Sequence, residues 1–307
     1  MKPRTIILIL LSAIVLIGLI SPNGIRAALT NNLWSIKFIK NFFALEGNTS
    51  QLEQPPSTHA HGGLFLARQA VKVGDLEQAM GHILPLVETS DRIALDAYAD
   101  LLYLNEEYQG AIAIWKDLGK TLTLEKAAMD LQGKKLEEPL IIAYQSLYAI
   151  DPEKYTSAFV VSLKNQGYHS KSVDLLTKSI QDYPEAANKG SWFRYLGDIY
   201  KTQGKWADAE NAYKQGLQVD PNDSRSWRNL GLMYASSNLK EYDKAAECFE
   251  EYVKIIPHQA YGYLLLGQAY ESSGLAKNAL IVYQIALKLE PGNEEARKAV
   301  ERLTSVN

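Results

Sequence analysis

The chain has 307 residues, of which 47% are hydrophobic and 22% are charged, a balance that excludes a disordered chain and a wholly membrane-embedded one. The formal net charge of −3 argues against a nucleic-acid-binding protein that works by neutralising phosphates. The single cysteine, Cys248, excludes an intramolecular disulfide and a Cys-rich zinc site, and we expect it to be a small buried residue.

The first 25 residues predict a hydrophobic helix. Lys2 and Arg4 precede an uncharged run of 16 residues, 5–20, which residues 21–24 then interrupt. A full membrane span needs about 17–25 residues, so the run lies between a signal-peptide core and a span. We favour an uncleaved single-pass anchor over residues 5–25, because no small-x-small cleavage site follows, with the rest of the chain on the extracytoplasmic side. Secretion after signal cleavage stays the alternative.

Residues 26–58 predict an amphipathic helix and a linker. Between residues 29 and 45, aromatic and aliphatic side chains accompany Lys37 and Lys40, which fall on one helical sector. This pattern is typical of a helix in the membrane interface and equally of a helix packed on the first repeat. Residues 47–58 contain two consecutive prolines among polar residues, which favours a linker.

Residues 59–190 predict four pairs of amphipathic helices with a degenerate repeat pattern. Apolar and small residues recur three, four and seven positions apart, as one face of a helix requires. The third and fourth pairs close at Asp151-Pro152 and Tyr183-Pro184. The positions that carry the pattern are Ala67, Ala79 and Ile83, then Ala99, Ala111 and Trp115, then Ala128, Leu131 and Leu147, and last Val160, Leu163 and Leu176.

Residues 191–307 repeat one pattern three times. The units open at Phe193, Trp227 and Tyr263, which are 34 and 36 positions apart, and the two extra residues fall in 236–241. Each unit continues with Leu, Gly and Tyr, then Ala and an aromatic residue, and ends at a Pro. These positions are Leu196, Gly197, Tyr200, Ala209, Tyr213 and Pro221; Leu230, Gly231, Tyr234, Ala245, Phe249 and Pro257; Leu266, Gly267, Tyr270, Ala279, Tyr283 and Pro291.

This spacing predicts a helix–turn–helix unit. Leu and Tyr share one face of the first helix, and the Gly between them lets a neighbouring helix approach closely. The second helix ends before Pro, because the residue that precedes a proline is biased out of the helical region. One pair cannot bury its apolar face alone, but stacked pairs share a continuous core. Residues 293–303 predict a last helix that caps the stack.

The three units resemble the tetratricopeptide repeat, in its membrane-anchored bacterial type. The resemblance implies an all-α, right-handed superhelical solenoid of about seven helix–turn–helix repeats, preceded here by the N-terminal hydrophobic helix. We therefore divide the chain into an anchor or signal (1–25), an amphipathic helix and linker (26–58), degenerate repeats (59–190), and three well-matched repeats with a capping helix (191–307).

No catalytic motif occurs in the sequence. It lacks a phosphate-binding loop, a Gly-x-Ser-x-Gly elbow and a His-Glu-x-x-His pair. His59 and His61 could hold a metal, but they lie beside the linker without a further nearby ligand. We expect a protein that is not an enzyme and that binds no cofactor, metal or nucleic acid.

The resemblance also implies a binding surface, because the first helix of each tetratricopeptide pair lines a concave groove. The groove-facing candidates are Arg194, Asp198, Arg225, Arg228, Asn229, Tyr261 and Gln268, together with Leu265. Arg194 and Asn229 fall at positions of the carboxylate clamp that some members use, whereas Asp198, Tyr261 and Leu265 depart from it. The groove could instead hold an acidic peptide. The alternative for each arginine is a solvated helix face or a pair with a neighbouring carboxylate.

Two functions fit these observations. The first is a membrane-tethered scaffold that binds a peptide or helix of a protein partner in its groove, in envelope assembly, secretion or polysaccharide export. The second is a non-catalytic regulatory subunit of a membrane enzyme such as a glycosyltransferase. In both, residues 5–25 would contact the membrane, and residues 29–45 are a second candidate for this contact.

Overall fold

The computed structural model describes residues 59–305. The predicted anchor or signal, the amphipathic helix and the linker lie outside the described residues, so those predictions stay predictions. No helix among the described residues is both long and apolar enough to cross a membrane. The chain divides into two compact units, Met1–Ile150 and Asp151–Asn307, here called unit 1 and unit 2.

The described part of unit 1 contains three helix pairs. Their helices are α1 (His59–Val73), α2 (Leu76–Val87), α3 (Arg92–Leu104), α4 (Tyr108–Asp117), α5 (Thr121–Lys134) and α6 (Glu137–Ile150). Predicted core residues of these degenerate repeats, such as Ala67, Ile83, Trp115 and Leu131, are fully buried. Neighbouring first helices are joined by polar contacts: Tyr103 on α3 donates to Asp130 on α5 at 2.8 Å.

Unit 2 contains four helix pairs and a final helix. Its helices are α7 (Pro152–Asn165), α8 (His169–Asp182), α9 (Lys189–Thr202), α10 (Trp206–Val219), α11 (Ser224–Tyr234), α12 (Tyr242–Ile255), α13 (Ala260–Ser272), α14 (Ala276–Leu289) and α15 (Glu294–Ser305). Residues 59–305 therefore form fifteen helices, which make seven pairs and a last helix, and they contain no strand. The all-α repeat architecture is confirmed for these residues.

The repeat motif is explained by the packing inside each pair of unit 2. Gly197 on α9 lies so close to Tyr213 on α10 that a Cβ atom on the glycine would be 2.6 Å from the ring. Tyr213 itself is fully buried. A side chain at the glycine position would therefore push the two helices apart, which is why small and aromatic residues alternate across the pair.

The ends of the paired helices coincide with proline and glycine residues of the repeat. α10, α12 and α14 end immediately before the Asp220-Pro221, Ile256-Pro257 and Glu290-Pro291 steps. In two of the three repeats the turn between paired helices contains a glycine with positive φ, Gly204 at 72° and Gly274 at 78°. α15 closes the array by burying Ala296 and Ala299, so the predicted capping helix is confirmed.

The boundary between the two units lies between residues 150 and 151, whereas the predicted division at residue 190 separates degenerate from well-matched repeats and stays a prediction. α7 and α8 belong to unit 2 with the well-matched repeats, because Val160 and Leu176 share a buried cluster with Trp192 and Leu196 of α9. The position at 190 marks a change in how well the sequence matches the repeat pattern. It does not mark a change in packing.

Candidate peptide-binding groove

The first helices of successive pairs in unit 2 lie side by side, as the groove prediction requires. Asn229 on α11 donates through its Nδ2 to Asp198 Oδ1 on α9 at 2.9 Å. Gln268 on α13 donates to Glu295 Oε1 on α15 at 2.7 Å. These bonds join side chains of alternate helices. Of the residues predicted at this face, Asp198 and Asn229 are therefore brought together.

Asp198 is held at the centre of this surface by two donors. Besides Asn229, the hydroxyl of Tyr213 donates to Asp198 Oδ1 at 2.6 Å. Burial raises the pKa of Tyr213 far above its usual range, and the nearby carboxylate of Asp198 raises it further. The phenol therefore stays a donor, and the position of Asp198 is fixed by the same tyrosine that packs on Gly197.

Arg194 has a structural partner. Its side chain is 8% exposed, and its Nε donates to Asp223 Oδ2 at 3.0 Å. Its guanidinium also lies 4.6 Å from the centre of the Tyr195 ring. Asp223 precedes α11 and accepts from the backbone N–H of Arg225 and from the Ser226 hydroxyl. The arginine thus ties α9 to the start of α11, which matches the alternative of a paired arginine.

The other candidates differ in exposure. Arg225 is exposed, and no ion pair of its side chain is found among the described residues. Arg228 is half-buried, with its Nη2 3.5 Å from Asn229 Oδ1, a contact at the limit of a hydrogen bond. Tyr261 is 48% exposed on α13, whereas Leu265 is 6% exposed and belongs to the core. Leu265 therefore cannot act as a groove residue.

An open pocket lies beside Asp198 on the same surface. Its volume is about 430 Å³. The lining residues are Lys164 on α7, His169 on α8, Asp198, Lys201 and Thr202 on α9, and Asn229 on α11. The sequence analysis did not name Lys164, His169 or Lys201. Lys164 and His169 lie before the three well-matched repeats, from which alone it took groove residues, and Lys201 lies within the first of these repeats but was not selected. The available signal was a lysine in the last turn of two successive first helices.

Charge is distributed unequally between the first and second helices of the first three pairs of unit 2. Helices α7, α9 and α11 carry seven basic residues (Lys154, Lys164, Lys189, Arg194, Lys201, Arg225, Arg228) and two acidic ones (Glu153, Asp198). Helices α8, α10 and α12 carry five basic residues (Lys171, Lys178, Lys214, Lys244, Lys254) and eight acidic ones (Asp174, Asp182, Asp208, Glu210, Asp243, Glu247, Glu250, Glu251). The groove side of these repeats is the basic side.

The one thiol of the chain lies in unit 2 and is buried. Between residues 59 and 305, no three His, Cys, Asp or Glu side chains are grouped so as to hold a metal ion. Cys248 on α12 is 4% exposed, so the predicted buried position is confirmed. Burial raises the pKa of its thiol to about 12, and the carboxylate of Glu247 adds to the rise, so the thiol is un-ionised at neutral pH.

Comparison with known proteins agrees with this geometry. The profile described as "Tetratricopeptide repeat" matches residues 196–260 and, overlapping them, residues 237–294. Residues 196–294 of this chain are tetratricopeptide repeats. The match runs from α9 to the start of α15 and contains the surface formed by Asp198, Arg228 and Asn229.

Several known proteins are similar to parts of the chain. Tetratricopeptide repeat protein 16 of Homo sapiens is 25% identical over 164 residues, which cover 52% of this chain and 17% of that protein. Photosystem I assembly protein Ycf3 of Prochlorococcus marinus is 25% identical over 126 residues, 37% of this chain and 71% of that protein. The crystal structure of MamA is 21% identical with a TM-score of 0.46, and covers 56% of this chain and 92% of MamA.

Proposed function

We propose that the tetratricopeptide repeats of unit 2 form a scaffold that binds an acidic peptide or helix of a protein partner along α7, α9, α11 and α13. The observation that carries this proposal is the excess of basic side chains on α7, α9 and α11, against an acidic excess on α8, α10 and α12. The fourth pair does not share this excess, since α13 carries Glu271 and no basic residue. A groove with one sign of charge attracts a partner of the other sign and fixes its orientation.

Two exposed residues are best placed to make the first contacts. Arg225 can donate to a carboxylate in two parallel hydrogen bonds, and Tyr261 offers a half-exposed aromatic face on the next first helix. Arg228 and Asn229 lie deeper and can reach the same segment. Arg194 is left out of the binding set because Asp223 already holds its guanidinium.

The proposal also includes the location of the scaffold at a membrane. The uncharged run 5–20 supports tethering to a membrane, with the repeats on the extracytoplasmic side, and rests on sequence alone. The name of the Prochlorococcus relative describes a Photosystem I assembly protein, which fits a scaffold that holds a protein partner. A role in envelope assembly, secretion or polysaccharide export stays a prediction from the sequence. Recognition without catalysis remains our prediction for the groove.

The test is capture of partners from detergent-solubilised membranes by the full chain. Three versions are compared: the natural sequence, the double variant Arg225→Gln with Arg228→Gln, and the control Lys277→Gln. Lys277 is exposed on the second helix α14, so its replacement removes a positive charge outside the groove. Captured proteins are identified by mass spectrometry at two salt concentrations.

We expect a protein that is enriched by the natural chain and by the control, depleted about tenfold by the double variant, and weakened by added salt. A set of captured proteins that is the same for all three versions would show that the basic face does not bind the partner. Loss of capture only after deletion of residues 1–45 would favour the regulatory-subunit function instead.

A further inference from the structure

We infer that the pocket between α7, α9 and α11 is an anion subsite, which receives a side-chain carboxylate or a phosphate group of the bound segment. The inference rests on the proposed function, since it assigns one position within the same groove. It names the pocket lined by Lys164, Lys201 and Asn229 as the place where an anionic group is selected.

The arginines of the groove do not supply this subsite. Arg194 is buried and its charge is taken by Asp223 at 3.0 Å. Arg225 is exposed on α11 and does not line the pocket, and neither does Arg228. The cationic side chains that do line it are Lys164 and Lys201, in the last turns of α7 and α9. Anion selection in this chain is therefore assigned to lysines that come from two successive first helices.

The positive charges of Lys164 and Lys201 are available to bind an anion. Among the described residues no ion pair is found for Lys164 or Lys201, in contrast to the paired Lys178, Lys214 and Lys254 on the second helices. Both residues are half-buried at the wall of the pocket. An ammonium group is a compact charge with three donors, which suits a carboxylate or a phosphate that approaches from outside.

His169 adds an unsatisfied polar atom to the same pocket. Its Nδ1 is buried and has no hydrogen-bond partner in the structure. A buried polar atom without a partner is uncommon and calls for an explanation, which a ligand group can supply. α8 also begins at His169, so the positive end of that helix dipole lies at this side of the pocket.

Asp198 is the one acidic residue in the lining, and its charge is partly compensated. Its Oδ1 accepts hydrogen bonds from the Tyr213 hydroxyl at 2.6 Å and from Asn229 Nδ2 at 2.9 Å. These bonds orient Asn229 and keep the carboxylate at the wall of the pocket. Two lysines against one compensated carboxylate leave a pocket that favours an anion over a cation.

The experiment titrates the full chain in detergent with three probes. They are a capped peptide of six glutamates, a capped peptide with one phosphoserine between glycines and serines, and inorganic phosphate alone. Affinities are measured by calorimetry for the natural chain, for the double variant Lys164→Gln with Lys201→Gln, for the conservative variant Lys201→Arg, and for the control Lys277→Gln.

The expected result is a loss of about tenfold or more in affinity for both peptides in the double variant, because charge-assisted contacts are removed, with Lys201→Arg and Lys277→Gln close to the natural chain. The same loss for inorganic phosphate alone would support the pocket as an anion site and assign free phosphate as a ligand.

The failures of the two proposals are distinguishable. Peptides that bind the natural chain and the double variant equally, but bind Arg225→Gln with Arg228→Gln weakly, would overturn the subsite and leave the groove function in place. No binding of any probe to the natural chain would overturn the acidic ligand class for the groove itself, and the subsite with it. A circular dichroism spectrum unchanged by the variants excludes loss of fold as the cause.

Discussion

Gly267 on α13 lies against the ring of Tyr283 on α14. A Cβ atom on this glycine would be 2.5 Å from Cε1 of the tyrosine, closer than real Cβ contacts come. Gly231 stands in the same relation to Phe249, at 2.7 Å. The aromatic rings are buried, so they cannot swing into solvent to make room. In each of these repeats the two helices pack closely because the aromatic ring occupies the space that a side chain at the glycine would need.

We predict that Gly267→Ala destabilises unit 2. Alanine favours a helix by about 1 kcal/mol over glycine, but the overpacking against Tyr283 costs about 1–3 kcal/mol. The net expected loss in the free energy of unfolding is up to about 2 kcal/mol. Hydrogen–deuterium exchange of α13 and α14 in the full chain measures it.

The control for this prediction is Gly81→Ala in α2. A Cβ atom on Gly81 meets nothing within 4 Å, so the same substitution there should stabilise α2 by about 0.5–1 kcal/mol. Replacing Tyr283 by Leu in the Gly267→Ala background should relieve part of the strain, which a double-mutant cycle detects as favourable coupling. Equal stability changes at the two glycines would show that helix propensity alone decides both.

The positions of Gly267 and Tyr283 could be predicted from the sequence because their spacing recurs with fixed residue types. The period of the array and the ends of its second helices follow from the same recurrence, since a proline stops each helix at a set distance. In the degenerate repeats the apolar spacing was sufficient to predict a buried Trp115 and a buried Ile83. The small residues at the contact positions are lost there, so the unit boundary was not visible.

Only part of the site could be predicted, because the repeat period does not determine which surface side chains form hydrogen bonds or ion pairs with each other. Asp198 and Asn229 meet as expected of adjacent first helices. The position of Arg194 in the repeat predicts a groove residue. In the structure its Nε instead donates to Asp223, which lies 29 positions later. Lys201 was overlooked although it lies one turn from Asp198. Pairing across helices depends on side-chain geometry, which a one-dimensional pattern does not contain.

The ion pair of Arg194 with Asp223 predicts a stability role for this arginine. Both side chains are largely buried, with exposures of 8% and 14%. Removing one partner leaves an uncompensated buried charge, so Arg194→Ala should lower the free energy of unfolding of unit 2 by about 3 kcal/mol. Exchange of α9 and α11 amides gives the measurement.

Arg225→Ala is the matched comparison for Arg194→Ala. Arg225 is exposed, so its replacement should change the free energy of unfolding by less than about 0.5 kcal/mol while it weakens partner capture. An Arg194→Ala variant that is as stable as the natural chain but fails to capture the partner would contradict the structural role of Arg194. It would show that Arg194 takes part in partner binding.

Asp100 on α3 gives unit 1 a predicted pH dependence. Burial raises the pKa of its carboxyl group to about 8, and the carboxylate of Asp96 adds to the rise. Lys120 and a hydrogen bond from Trp115 oppose it. Because the native state holds this proton more tightly than the unfolded state, the stabilising contribution is complete below about pH 4 and is lost as the pH rises towards 8.

Asp100→Asn removes this titration while it keeps the shape of the side chain. Exchange of α3 amides should show the natural chain losing protection between pH 5 and about pH 8 relative to the variant. The control Asp117→Asn, at an exposed position that ends α4, should follow the natural chain. A constant difference between the natural chain and Asp100→Asn across this range would mean that Asp100 is ionised throughout.

Cys248 offers a chemical probe of unit 2, because it is the one cysteine among the 307 residues. Its thiol is 4% exposed and its pKa is raised to about 12, first by burial and then by Glu247. Alkylation requires the thiolate, so iodoacetamide should label the folded chain at least about a hundredfold more slowly than the chain in denaturant. In the Gly267→Ala variant Cys248 should be labelled faster, because the destabilised unit 2 unfolds transiently more often. Mass spectrometry follows the labelling with time. Labelling of the folded chain at the rate of a free thiol would show that α12 does not bury Cys248.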